Sequence, residues 1–170
     1  MTAISELSFT MEPLKFPWGT YLRIVPVIDE RDLIDWAAEF ERWHDFHSPG
    51  AYAGLWPIRE GEDPAKNYLK WNLEIGAPCE RRLLGCNCSV PDCWPLLATI
   101  SLTDGRVIWD RFRQPFRRDQ NYSAFGPFVF REDQYVNAVR ELLAKISTID
   151  PFTSNPDFWK MIPSEPDEGE

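Results

Sequence analysis

The spacing of apolar residues changes along the chain, and each change predicts an element. Residues 21–28 (YLRIVPVI) form a short, β-branched run that predicts a strand. Pro26 lacks an N–H and so places that strand at a sheet edge or ends it there. Leu33, Trp36, Phe40, Trp43 and His47 then recur at spacings of three and four, one face of a helix over 30–46. Asp29 is its expected N-cap, with Asp32 three residues on. Glu39, Glu41, Arg42 and Asp45 fall largely off the stripe, and Ser48-Pro49-Gly50 stops the helix. Residues 50–66 hold Gly, Pro and charge and read as a loop. Residues 68–75 alternate Tyr68, Lys70, Asn72 and Glu74 with Leu69, Trp71, Leu73 and Ile75, a half-buried strand, and 81–86 predicts another.

The strongest local signal is LLATISLTDGRVIWDRFR at 96–113, where Asp104-Gly105 separates two β-like runs and predicts a hairpin. With those two residues as the turn, Thr103 faces Arg106, Leu102 faces Val107, Ile100 faces Trp109 and Ala98 faces Arg111. Ala98, Ile100, Leu102, Val107 and Trp109 then share the core face, which Arg111 and Arg113 continue at its margin. FGPFVF at 125–130 predicts a short strand. Glu132 and Asp133 suit the first turn of a second helix, whose apolar stripe is Tyr135, Val136, Val139, Leu142, Leu143 and Ile146. No internal repeat is present. The order predicts an α+β domain with a mainly antiparallel sheet, a central Asp-Gly hairpin and two principal helices. One domain is expected over 1–162, with 1–18 as an irregular lead-in. Residues 163–170 (PSEPDEGE) read as an acidic, disordered tail.

Composition narrows the function. The 170 residues are 44% hydrophobic, enough for one domain with its own core. There are 27 acids against 18 Lys and Arg, a net charge of −9, which argues against binding the phosphate backbone of nucleic acid. No apolar window is long enough to span a membrane. The start lacks a cationic segment followed by an apolar run, so a cytoplasmic location is expected, and the four cysteines are expected as reduced thiols or metal ligands. The fifteen prolines point to short elements and stiff loops, and the eight tryptophans to core packing with one or two left for a partner.

Four stretches carry a family likeness: SPGAYAGL at 48–55, LLGCNCSVPDCWPL at 83–96, VIWDRFRQPFR at 107–117 and YSAFGPFVFREDQYVNAV at 122–139. Together they resemble a family of uncharacterised bacterial proteins. The resemblance implies a bacterial, cytoplasmic, single-domain protein and brings no activity, cofactor or catalytic residue with it. This chain departs from the pattern at Pro91-Asp92, where small residues would be expected before the third cysteine.

Cys86, Cys88 and Cys93 form a C-x-C-x4-C arrangement that could chelate zinc, with Cys79, His44 or His47 as a fourth ligand. Free structural thiols are the simpler reading, and a redox role would need a cation such as Arg81 or Arg82 nearby. His44 and His47 lie three apart near a helix end, where a structural role at the terminal carbonyls is the ordinary one. Residues 106–118 contain five arginines and one acid, a local charge of +4. Within and beside that segment, Trp109, Arg111, Arg113, Arg117, Arg118 and Tyr122 form the candidate ligand or partner surface. Neither GxxxxGK[ST] nor GxGxxG occurs.

These features favour a non-enzymatic protein-binding module, immunity- or antitoxin-like, whose acidic surface steers a basic partner. The alternatives are a zinc- or thiol-dependent enzyme or a metal-binding protein centred on Cys86, Cys88 and Cys93, and a sensor of an anionic small molecule at the arginines.

Overall fold

The computed structural model describes residues 2–16, 19–55, 68, 78–88 and 93–147. Among the described residues it is a mixed α+β fold with two complete helices and mostly antiparallel sheets, as the alternation of periods predicts. Strands β1 (Ile4–Ser5) and β2 (Leu7–Phe16) lie where an irregular lead-in was expected. LSFTM at 7–11 does alternate, and Leu7 and Phe9 are buried. Strand β3 (Gly19–Ile28) pairs antiparallel with β2 along its whole length and passes through Pro26 opposite Phe9. Strand β4 (Arg31–Asp32) pairs only with Val27 and Ile28, so Pro26 interrupts no ladder on that side.

Asp29 and Glu30 adopt φ of 50° and 65°, the two-residue turn between β3 and β4. The helix therefore starts later than expected. Helix α1 spans Leu33–Trp43, and its N-cap is Asp32, whose side chain accepts from the Asp35 N–H at 2.8 Å. Its buried residues are Leu33, Ala37, Ala38 and Glu41. The predicted stripe is thus displaced: Trp36 and Phe40 pack partly against the core, while Trp43 is 80% exposed.

The larger sheet has the order β1-β9-β8-β7-β6-β5, adding β5 (Tyr52–Ala53), β6 (Cys79–Cys86), β7 (Leu96–Thr103), β8 (Arg106–Arg113) and β9 (Phe128–Arg131). All its pairs are antiparallel except β1 with β9. Helix α2 (Glu132–Ser147) packs Tyr135, Ala138, Val139 and Leu142 inward. Its Gln134 amide bonds both polar backbone groups of Leu7, at 3.1 and 2.6 Å, pinning β2 to the helix. Trp109 is the fully buried centre, with Phe130 and Tyr135 at ring distances of 5.1 and 6.0 Å. Its indole N–H donates to the Tyr135 hydroxyl at 3.2 Å.

Three readings fall wholly or largely on residues that are not described, the first being the loop expected over 50–66, which is described only as far as Leu55. The strand expected over 68–75 lies outside the described residues apart from Tyr68, which is helical and buried. The acidic tail at 163–170 lies wholly outside them.

Candidate functional site

β7 and β8 pair with Thr103 opposite Arg106, Leu102 opposite Val107 and Ile100 opposite Trp109. Beyond Thr99–Asp110 the register shifts, and the next pair is Leu97–Arg113. Ala98 therefore opposes two residues, Arg111 and Phe112, a β-bulge in β8. Arg111 takes φ of 50° there. The bulge corrects the expected face: Phe112, not Arg111, follows Trp109 inward and is 3% exposed, while Arg111 and Arg113 point outward.

The bulge opens a groove of about 760 Å³ that collects Arg111, Arg113, Arg118 and Tyr122. Four of the six candidate ligand residues thus meet in one place. Trp109 does not join them, because it fills the core. Arg117 does not line the groove either: its guanidinium is buried, donating from Nη1 to the His47 carbonyl at 2.7 Å and to Gln120 Oε1 at 3.1 Å. It sits over the Trp94 ring, 3.1 Å from the centroid. Arg113 is held bidentately by Glu80, both contacts at 2.6 Å. Arg113 in turn holds the Glu80 carboxyl below the ordinary carboxylate range.

Behind Tyr122 lies a buried polar chain that the sequence pattern misses. Glu41 is fully buried and accepts from the Tyr122 hydroxyl at 2.6 Å and from the Gly50 N–H at 2.6 Å. Tyr122 and Tyr52 share a hydroxyl contact at 2.7 Å. Burial is the main cause that raises both phenols above their usual pKa. Glu41 carries no sequence signal, since it lies on the expected polar side of α1 and its partners are nine and 81 residues away. Trp94, which stacks on Arg117, and Gln120, which holds it, were also missed.

The thiol group lies where β6 leads towards β7. β6 ends at Cys86, paired with Tyr52, and Cys88 follows, its N–H donating to the Cys86 sulfur at 3.4 Å. Cys93 immediately precedes Trp94. The sulfurs of Cys86, Cys88 and Cys93 all lie within 4.8 Å of one another. A tetrahedral zinc at ~2.3 Å from each would hold them ~3.8 Å apart, so a small inward shift suffices. Burial, followed by the hydrogen bond with Cys88, pushes the Cys86 thiol up to about 11, the reverse of what an activated nucleophile needs. Cys93 is also raised, chiefly by its hydrogen bond with Cys88.

None of the proposed fourth ligands joins this group among the described residues. Cys79 begins β6 while Cys86 ends it, about 23 Å away along an extended strand at ~3.3 Å per residue. The Cys79 sulfur instead accepts from Arg81 Nη2 at 3.2 Å. His44 is the C-cap residue of α1, and its ring packs on Phe40 and Phe46 at 4.2 and 5.9 Å. His47 lies beyond the helix end, so the two histidines share no helical face; its backbone, not its ring, meets Arg117.

No helix among the described residues is long and apolar enough to cross a membrane. No protein-family model matches the chain, and no curated protein or solved structure matches it.

Proposed function

We propose that the chain is a metal-binding protein whose Cys86, Cys88 and Cys93 hold a thiophilic divalent ion, zinc in the first instance. One observation carries this reading: three cysteine sulfurs from both sides of one loop converge within 4.8 Å. Thiolates are soft ligands that select zinc over the hard cations. Three of them leave the fourth tetrahedral position to water or to a ligand from outside. The ion would tie the end of β6 to the approach to β7.

The test is metal analysis after loading with zinc and desalting, with thiol titration in parallel. The expected result is one zinc per chain, three thiols that react only after chelation, and loss of zinc in Cys88→Ser and Cys93→Ser. Zinc well below stoichiometry with the exposed Cys88 and Cys93 thiols reactive in the native, zinc-treated protein would overturn it.

A second reading, a module that binds a basic protein, rests on Trp43. This residue is 80% exposed beside a groove lined by Trp36, Phe40, Pro127 and Phe128, on a chain with net charge −9. It predicts capture of an identified basic protein that Trp43→Ala and added salt both release. A capture indifferent to Trp43→Ala sinks it.

A further inference from the structure

We infer that the groove under the β8 bulge is a binding site for a small organic dianion, one bearing two carboxylates or a phosphomonoester, held by Arg111 and Arg118. Both side chains are exposed, and neither makes a hydrogen bond, ion pair or ring contact among the described residues. Arg42, Arg106 and Arg140 are equally without such a contact among the described residues; what sets Arg111 and Arg118 apart is that both line one groove. Arg113 behaves as the surplus of acids predicts and is neutralised by Glu80. Two uncommitted guanidinium forks match a charge of −2.

Backbone geometry is the second, independent observation. The bulge places Arg111 at φ of 50°, a left-handed conformation that disfavours a non-glycine residue. A glycine would make the same bulge without that cost. An arginine here is displayed into the groove from a rigid strand rather than from a flexible loop.

The shape selects the kind of anion. The groove, at about 760 Å³, is within the range of small-molecule sites. Phe112, Phe125 and Pro127 form an apolar side and Tyr122 is buried beneath it, so an organic body is favoured over a bare ion. Asp110 is the one acid on the wall. The net charge of −9 repels an extended polyanion such as nucleic acid, whereas a compact dianion meets the local arginines within a Debye length of ~8 Å. The site does not depend on metal at the cysteines.

The test is calorimetric titration of the full chain, at constant ionic strength, with phthalate, phenyl phosphate, inorganic phosphate and a single-stranded oligonucleotide. The expected result is saturable one-site binding of phthalate or phenyl phosphate, and which of them binds names the anion. Inorganic phosphate should bind at least tenfold more weakly. Arg118→Ala and Arg111→Gly, which keeps the bulge, should each weaken binding at least tenfold, while Arg131→Ala, whose guanidinium pairs with Asp133, should not. No saturable binding, binding indifferent to Arg118→Ala and Arg111→Gly, equal binding of inorganic phosphate, or preference for the oligonucleotide would each overturn the proposal.

Discussion

At the scale of single residues, the decisive groups are polar and buried. Glu41 accepts two hydrogen bonds with no exposure to water, so replacing it strands the Tyr122 hydroxyl and the Gly50 N–H. Glu41→Ala is expected to cost about 2–3 kcal/mol in urea unfolding, since each abandoned buried group costs ~1–3 kcal/mol. A double-mutant cycle with Tyr122→Phe should show coupling above ~0.5 kcal/mol. Arg111→Gly is expected to have the opposite sign, raising stability by about 0.5–1 kcal/mol through relief of the positive φ. Glu80 gives the pH dependence. Arg113 lowers its folded pKa below the ordinary 4.5, so the pair contributes above that value and is lost as the pH falls through the folded one. The pair is largely exposed, which limits it to roughly 0.5 kcal/mol. Glu80→Gln should therefore lower the urea midpoint slightly at pH 7 and leave no difference well below pH 4.

At the scale of elements, periodicity was a good guide wherever burial is one-sided. Helix α2 presents the predicted stripe, with Tyr135, Val139 and Leu142 buried and Val136, Leu143 and Ile146 packed against the core. Helix α1 was read less well. Two non-glycine residues at positive φ turned what looked like a first helical turn into a β-turn, and Trp43 at the helix end is left uncovered among the described residues. The bulge in β8 has no sequence mark, because its positive-φ position holds Arg111 rather than glycine, and so the inward and outward assignments inverted after Asp110. Gly54 shows a glycine fixed by close approach: a Cβ would lie 2.1 Å from the Ile24 carbonyl oxygen, across the bridge Ile24 makes with Leu55. Gly54→Ala should cost about 1–3 kcal/mol by thermal denaturation, as overpacking does.

At the scale of the whole molecule, the two sheets share one hydrophobic core, and hydrogen bonds among the described residues tie them further. Glu6 exchanges bonds with Asp29 between β1 and β2, Ile24 pairs with Leu55, and Gln134 clamps Leu7. Gln134→Ala is expected to loosen β2 from α2, seen as faster hydrogen exchange through β2 with little change in β7 and β8. Loop 114–122 spans both candidate sites, because Gln120 lines the groove and holds Arg117, whose other neighbour is Trp94 beside the thiols. If zinc occupies the thiols, chelation should lower the melting temperature, and Arg117→Ala should diminish that difference.

The amino-acid sequence by itself determined the α+β class, helix α2, the strands read at 81–86 and within 96–113, and the residue types of both candidate sites. Those are properties of local period and composition, which any window of the chain displays. Only the tertiary structure decided which candidates act together. It sent Trp109 to the core, Arg117 beneath the loop and Cys79 to the far end of β6, and it gathered Arg111, Arg113, Arg118 and Tyr122 around one groove. The physical reason is that such meetings depend on a one-residue bulge and on contacts between residues as much as 81 positions apart. The uniformly acidic chain is thereby resolved into an acidic body with two uncommitted arginines displayed at one groove.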